Sequence, residues 1–437
     1  MDRGKKSIAI VGGGIGGLTA AYYLYPHHKI RLFEKSNRLG GNAYTYVTQD
    51  GQYLDIAVAA FGKAGYHHFY GLLNDLGIET RLCANSYMSL HNMDSKEGLY
   101  LTPTLRGAVA QGRDLVNFAN FKSVAGLFVG LQWAFRQLDA GKLHYRTMEE
   151  CLQMIPAFKG DARRLLVSAL CLLSSMSAPE IMASPAEFFL LKLKRHNDVI
   201  SPRATYSVRC VEGGTQSYVN ALADRFREHI TFSSEISRIV RNESSVQVVM
   251  SSGQTETFDA IILALNADQA LALLDHPTKE EKRLLGAWKY KEGRVVVHRD
   301  YSAFPPRDLM QAYTFLYTDR EGKFETSVNG ALWHEPNVPN DSEYICTQHP
   351  NFAINPHLIE FETTLRTPIF DFKSFPVVPE MPSLNGTLNT FYCGSHFGFG
   401  LHDDAVRSAM EVAQCLGATV KVNLEPKALS AIKALIG

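Results

Sequence analysis

Three glycines, Gly12, Gly14 and Gly17, and one carboxylate, Glu34, have the types and the spacing to hold a dinucleotide. They read G-x-G-x-x-G, with the acid at the end of the next apolar run. In such a pattern Gly12 permits a tight turn, Gly14 lets a pyrophosphate come close to the backbone, and Gly17 lets a helix lie against a strand. Ile15 and Gly16 complete the turn, so the phosphates would meet free N–H groups at a helix N-terminus, where the dipole favours negative charge. Glu34 can accept both hydroxyls of an adenosine ribose, and its charge disfavours a 2′-phosphate, which argues against NADP. The bland alternative is a glycine turn with no ligand; the strand, helix and acid around this turn argue against it.

These residues need a specific set of elements to position them. Ser7–Val11 is a short apolar, β-branched run, residues 18–24 (LTAAYYL) read as helix, and 30–33 (IRLF) read as a second strand. The stretch 34–41 then reads E-x-x-x-R-x-G-G. A nicotinamide-only domain has no reason to carry this second glycine pair. Near the other end, 387–393 (TLNTFYC) reads as strand, 394–400 (GSHFGFG) as a glycine-interleaved loop, and 401–409 as the start of a helix.

Together these two ends resemble the flavin-containing amine oxidase and phytoene desaturase superfamily, and in particular a bacterial branch of NAD/FAD-binding, amine-oxidase-like proteins. The resemblance implies an α/β fold: a Rossmann-like FAD-binding domain (GR2-type) with an inserted α+β substrate domain and a helical cap. It implies that Lys35, Arg38, Gly40, Gly41 and Asn42 continue the FAD site, and that Ile236 offers its backbone to adenine while Ala264 lies near the dinucleotide. It implies that Gly394 and Ser395 meet the pyrophosphate, and that Leu401, Asp403, Asp404 and Ala405 bring a helix N-terminus under the flavin pyrimidine. Asp403 stands where the superfamily motif has Glu. Many relatives carry paired glycines after the acid of the second hairpin strand, where this chain has Asp55 followed by Ala57 and Val58. No cysteine is placed for a covalent flavin link, so non-covalent FAD is expected.

The expected division is residues 1–84 as the first part of the FAD-binding domain, 85–204 as a mostly helical substrate or cap region, 205–286 as the second FAD part, 287–380 as the substrate-domain sheet, and 381–437 as the third FAD part with a C-terminal helix. Within it, 47–56 reads as a hairpin with Asp50-Gly51 at the turn, and 66–76 as an amphipathic helix stopped by Gly77. His67 and His68, adjacent on that helix, diverge by about 100° and make a poor shared metal site. The stretch 118–138 reads as a core or cap helix, with a membrane contact or lipid-tunnel wall as the functional alternative. Residues 162–175 and 185–195 read as further cap helices, and Gly213-Gly214-Thr215 as a turn before a helix over 219–229. Residues 368–386 read as a proline-rich loop. Candidate polar groups near the flavin ring are His396, His402, Tyr66 and Tyr206. Trp288 and Tyr290, alternate residues, would share one face of a strand and line either a pocket above the flavin or the core. Lys289 would point the other way.

Composition excludes several classes. Lys plus Arg equals Asp plus Glu at 44 each, so no global charge argues for nucleic acid. No apolar run is long enough to span a membrane, and no basic segment precedes an apolar core at the N-terminus. The seven cysteines are scattered without a CxxC pair, which argues against structural zinc or a disulfide framework and for a reducing cytoplasm; peripheral membrane contact stays open, as does the oligomeric state. The expected activity is that of an FAD-dependent oxidoreductase moving a hydride between flavin N5 and an apolar, fatty-acyl or isoprenoid-like substrate. The alternatives are a flavin amine oxidase, a redox-neutral double-bond isomerase and a non-catalytic flavoprotein.

Overall fold

The strand Ser7–Val11 lies in the middle of a five-stranded parallel sheet whose order is Thr390–Tyr392, Ala260–Leu263, Ser7–Val11, Lys29–Phe33, Ile230–Thr231. The computed structural model describes residues 4–62, 65–83, 88–101, 118–195 and 208–420. A parallel strand covered on both faces is apolar at every position, and its side chains alternate between two cores. Ile8 and Ile10 enter the core formed with the helices Ile15–Leu24 and His402–Cys415. Ala9 and Val11 enter the core shared with the cap helices. The first helix begins at Ile15, directly after the glycine turn, rather than at residue 18.

A buried ion pair fastens this sheet to the antiparallel ribbon Ile236–Arg241, Val246–Met250, Thr255–Phe258. Arg241 Nη1 lies 2.5 Å from Glu281 Oε1, and the Tyr392 hydroxyl donates to the same oxygen. Burial opposes ionisation of Glu281, but the bonds from Arg241 and Tyr392 outweigh it and hold the carboxyl at about 2.

The second sheet has seven strands in the order Ile359–Ile369, Lys289–His298, Ile345–Gln348, Lys323–Ala331, Tyr313–Arg320, Met88–Asn92, Gly98–Leu101. The region expected to be mostly helical therefore contributes two strands to the substrate sheet. Met88–Asn92 pairs parallel with Tyr313–Arg320, a long-range match that alternation within one segment does not reveal. The helices Phe118–Asp139, Asp161–Ser174, Ala178–Ala183 and Ala186–Arg195 belong to the core that covers this sheet. Leu127, Leu131, Ala134 and Leu138 of the longest helix point into that core, while Phe128 and Val129 are exposed. No helix among the described residues is long and apolar enough to cross a membrane.

Other elements differ from expectation for local reasons. The hairpin is shorter, Thr45–Val47 with Tyr53–Asp55, and Gly51 has the positive φ its turn requires. The helix expected over 219–229 is Thr215–Ala223 followed by a 3₁₀ turn at Arg227–His229, because Phe226 turns into the core. Residues 374–384 are a short helix and 3₁₀ turns rather than a loop. Phe375, Val378, Met381 and Leu384 are all buried, and an apolar residue at every third position matches three residues per turn. The final strand shrinks to Thr390–Tyr392.

The cap helix Met148–Met154 is closed by a reciprocal pair: Glu150 N donates to Thr147 Oγ1 at 3.1 Å and Thr147 N donates to Glu150 Oε2 at 2.9 Å. Thr147→Ala is expected to lower stability by about 1 kcal/mol, seen as a lower urea midpoint at unchanged slope.

Candidate cofactor and substrate site

The glycine turn is packed where a helix must touch a strand and open where a ligand must enter. A Cβ on Gly12 would stand 2.5 Å from the Ala264 carbonyl oxygen, and one on Gly17 would stand 1.9 Å from the Gly12 carbonyl oxygen. A Cβ on Gly14 would meet nothing within 4 Å. Gly14 is the N-cap of Ile15–Leu24, no side chain caps that helix, and its first turn holds no acid. The first-turn N–H groups of Ile15, Gly16 and Gly17 thus open a helix with a favourable dipole and no acid of its own first turn. This arrangement fits a pyrophosphate.

Glu34 borders the turn. Gly13 N donates to its Oε2 at 2.7 Å, and Ser36 N donates to its Oε1 at 2.8 Å, so the carboxylate is held at one edge of the cradle. Lys35 is exposed and pairs with Glu235 at 3.5 Å, next to Ile236 at the start of the antiparallel ribbon. Arg38 stacks over the Tyr44 ring at 3.8 Å. Gly40 and Gly41 both have positive φ. Gly40 N donates to Gly13 O at 2.8 Å, and a Cβ on Gly41 would stand 3.3 Å from the Gly14 Cα. The two glycine pairs, separate in sequence, therefore form one surface.

The C-terminal motif meets the same surface from the other side. A Cβ on Gly16 would touch Cys393 Sγ at 3.6 Å, and Gly394 N donates to Ser408 Oγ at 3.0 Å. The carboxylates of Asp403 and Asp404 are taken up by the protein. Asp403 accepts from Phe69 N and lies 2.9 Å from His68 Nδ1; Asp404 accepts from Phe399 N at 2.8 Å and Leu401 N at 3.1 Å. Arg195, from the last turn of a cap helix, reaches both. These bonds shape the loop and join cap to cradle, while Ala405 lies buried in the helix they open.

A cavity of about 220 Å³ adjoins the cradle. Asn42, Val58, Ala60, Ser395, Leu401 and His402 line its cradle wall. Its opposite wall is largely apolar, with Met88, Leu172, Leu173, Val328 and Leu332. Tyr66 and His402 reach this cavity as candidates. His402 Nε2 lies 2.7 Å from the Tyr218 hydroxyl, and burial lowers the imidazole to about 3, so it is neutral near pH 7. His396 is buried edge-on to Trp288, off the cavity, and is likewise lowered to about 3 by burial.

Trp288 and Tyr290 do not share a strand face over the cradle. Trp288 precedes the strand and packs between His396 and Phe370, and the Tyr290 hydroxyl accepts from Ala267 N at 2.9 Å. Neither lines the cavity; Trp288 is buried in the core and Tyr290 packs against it. Lys289 is exposed beside Asp371. His68 is buried on Asp403 and His67 is exposed; no group of residues among those described could hold a metal ion. Tyr206 lies outside the described residues.

Two charged cavity residues went unnoticed in the sequence. Lys192, on the apolar stripe of Ala186–Arg195, is 1% exposed and lines the cavity. Its Nζ lies 5.7 Å from the Phe188 ring and 6.0 Å from the Phe370 ring, with no hydrogen bond or ion pair to any described residue. Burial lowers its ammonium to about 7, Asp404 opposing. A lysine four residues after Phe188 on a buried face is a readable signal. Glu335, in the turn after Leu332–His334, also lines the cavity, and nothing in its neighbours along the chain marks it.

Residues 15–299 match the family described as flavin containing amine oxidoreductase. The flavin-dependent L-tryptophan oxidase RebO of Lentzea aerocolonigenes is 24% identical over 311 residues, 65% of this chain and 62% of that protein. The 15-cis-phytoene desaturase of Solanum lycopersicum is 35% identical over 92 residues, 21% of this chain and 16% of that one. Among solved structures, a double mutant of putrescine oxidase superposes with a TM-score of 0.67 at 13% identity, covering 94% of this chain and 99% of that one. A fatty acid isomerase from P. acnes that produces CLA superposes at 0.66 and 16% identity, covering 96% and 100%. At these identities the structural likeness is one of fold.

Proposed function

The chain belongs to the flavin-containing amine oxidoreductase family; on that premise we propose that it is an FAD-dependent oxidoreductase that moves a hydride between a small organic substrate with an apolar body and flavin N5. The observation that carries the proposal is the cavity joining the glycine cradle to an apolar wall of sheet and cap. Bound FAD supplies the hydride chemistry itself, and the protein supplies orientation and field. In this reading Gly14, Ile15, Gly16 and Gly17 hold the pyrophosphate with Gly394 and Ser395, and Glu34 takes the adenosine ribose. Asn42 and the backbone at Leu401 border the ring. Leu172, Leu173 and Val328 exclude water from the substrate's body. Lys192 holds or releases a proton at Nζ near neutral pH, which suits general acid–base work.

A fatty-acyl or isoprenoid-like chain fits the apolar wall. An amine is the second reading, favoured by the carboxyl of Glu335 on that cavity, which has no side-chain hydrogen bond or ion pair to any described residue. Anaerobic mixing of the FAD-loaded protein with amines, unsaturated fatty acids and isoprenoids, followed at flavin wavelengths, separates them. We expect bleaching by one of these classes. Movement of a lipid double bond without bleaching would replace the reading by isomerisation, and neither bleaching nor turnover with any class would overturn it.

A further inference from the structure

We propose that Lys192 is a nucleophile that captures an aldehyde with an apolar tail, forming an imine at Nζ, so that the cavity holds a carbonyl compound by a covalent bond as well as by contact. The inference rests on reading the cavity as the substrate site, and it does not depend on hydride transfer.

Position comes first. Lys192 sits on Ala186–Arg195 among Phe188, Phe189, Leu190 and Leu193, all buried. Among the described residues it is the one buried lysine and the one lysine that lines the cavity. Phe188 and Phe370 stack with their centroids 4.0 Å apart, and Nζ lies 5.7 Å and 6.0 Å from those rings. Phe370 lines the same cavity, as do Leu172 and Leu173.

The second observation is the contrast with other lysines. Lys35, Lys194, Lys289 and Lys291 each pair with a carboxylate. Lys194, only two residues further on, is half-exposed beside Asp139. Lys192 has no hydrogen bond or ion pair to any described residue. Asp404, the nearest source of opposing charge, is held by Phe399 N, Leu401 N and Arg195. An apolar side chain would complete the stripe of this helix without the cost of burying an amine, so the amine calls for a role that packing does not supply.

The third is reactivity. Burial lowers the ammonium to about 7, so near neutral pH roughly half of the molecules carry a free lone pair at Nζ. A lysine desolvated in an apolar pocket is the activated form of this nucleophile. The lone pair adds to the carbonyl carbon, a C–N bond forms, and the carbonyl π pair moves to oxygen. That oxygen takes up the two hydrogens of the amine and leaves as water, while the second C–N bond closes the imine. Nothing is oxidised or reduced, and hydrolysis reverses the step. An alcohol offers no electrophilic carbon, and a carbonyl bearing hydrogen on one side is the least crowded between two aromatic rings. Leu172 and Leu173 receive the apolar tail.

The test is treatment of the FAD-loaded protein at pH 7 with hexanal and cyanoborohydride, which reduces an imine to a stable amine, followed by peptide mass mapping. At that pH an exposed lysine is neutral in about one molecule in two thousand. Lys192 is therefore expected to take up one hexyl group about 100-fold faster than any exposed lysine. An excess of 1-hexanol, which fills the cavity without a carbonyl, is expected to suppress labelling of Lys192 and to leave labelling of exposed lysines unchanged. Labelling of Lys192 no faster than that of exposed lysines, or fast labelling that hexanol leaves untouched, would each overturn the assignment. Mapping identifies the residue in the wild type, so the result does not wait on a variant that folds. Fast capture in a protein whose flavin is bleached by no substrate class would leave this assignment standing and remove the oxidoreductase reading; bleaching without capture would do the reverse.

Discussion

Gly14→Ala is expected to fold as the wild type does and to bind FAD about 100-fold more weakly, a loss near 2.7 kcal/mol, whereas Gly17→Ala is expected to yield no folded protein. The two glycines are three residues apart in one turn and differ in what surrounds them. Gly14 sits at φ −73°, ψ 177°, a conformation open to any residue, and a methyl there meets no protein atom within 4 Å. The cost of alanine therefore falls on the ligand, whose phosphate oxygens need that space. Gly17 has no such freedom. A methyl there would stand 1.9 Å from the Gly12 carbonyl oxygen and 3.2 Å from the Ala264 Cβ, forcing the first helix away from both central strands. Urea unfolding of the apoproteins and titration with FAD followed by quenching of flavin fluorescence separate the effects. Wild-type affinity in Gly14→Ala would remove the pyrophosphate from this turn.

Lys192→Met is expected to slow flavin reduction about 100-fold while raising the stability of the protein. Lys192 has no hydrogen bond or ion pair to any described residue, so an apolar side chain of similar length in its place removes the cost of burying its charge. The pH dependence distinguishes this cause from general repacking. Burial lowers the folded-state value of Lys192 from 10.5 to about 7. Between those values the unfolded chain carries a proton that the folded protein does not, so stability rises with pH across that window. Below about pH 7 both states carry the proton and the full cost of burying the charge is present. Lys192→Met should lose this rise, and its advantage over the wild type should be largest below neutral pH and shrink toward pH 10. The rate of flavin reduction in the wild type should show an inflection near 7 that the variant lacks. An inflection that persists in Lys192→Met would assign the proton to another group, and a variant of unchanged rate would leave Lys192 a packing residue.

The cofactor half of this protein is legible in its sequence because dinucleotide binding is mostly local. Ser7–Val11, the glycine turn, the helix and Glu34 are consecutive, and each is dictated by backbone needs: an apolar strand buried on both faces, a turn that tolerates no side chain at Gly12, and a helix start without a cap at Gly14. The glycine-interleaved loop at 394–400 carries its own signal in the same way. The covering helices also follow from their periodicity, with Ala186–Arg195 beginning right after Pro185.

The substrate half was decided by tertiary structure. The seven-stranded sheet joins Met88–Asn92 to Tyr313–Arg320 across more than half the chain, and no local pattern specifies that register. Trp288 and Tyr290 look like a pair at alternate positions, but Trp288 lies before the strand begins, so the period of two does not apply to it. Glu335 is an ordinary charged residue along the chain, and Lys192 is marked there only by its place on the apolar stripe of Ala186–Arg195. They become unusual only where the sheet and the cap close over them, because burial without a partner is a property of the surroundings and not of the residue. Sequence alone thus determined the fold class and the cofactor, which depend on contiguous backbone geometry. The walls of the cavity, and with them the chemistry of what enters it, depend on side chains brought together from distant segments, and packing alone sets which of those remain unpaired.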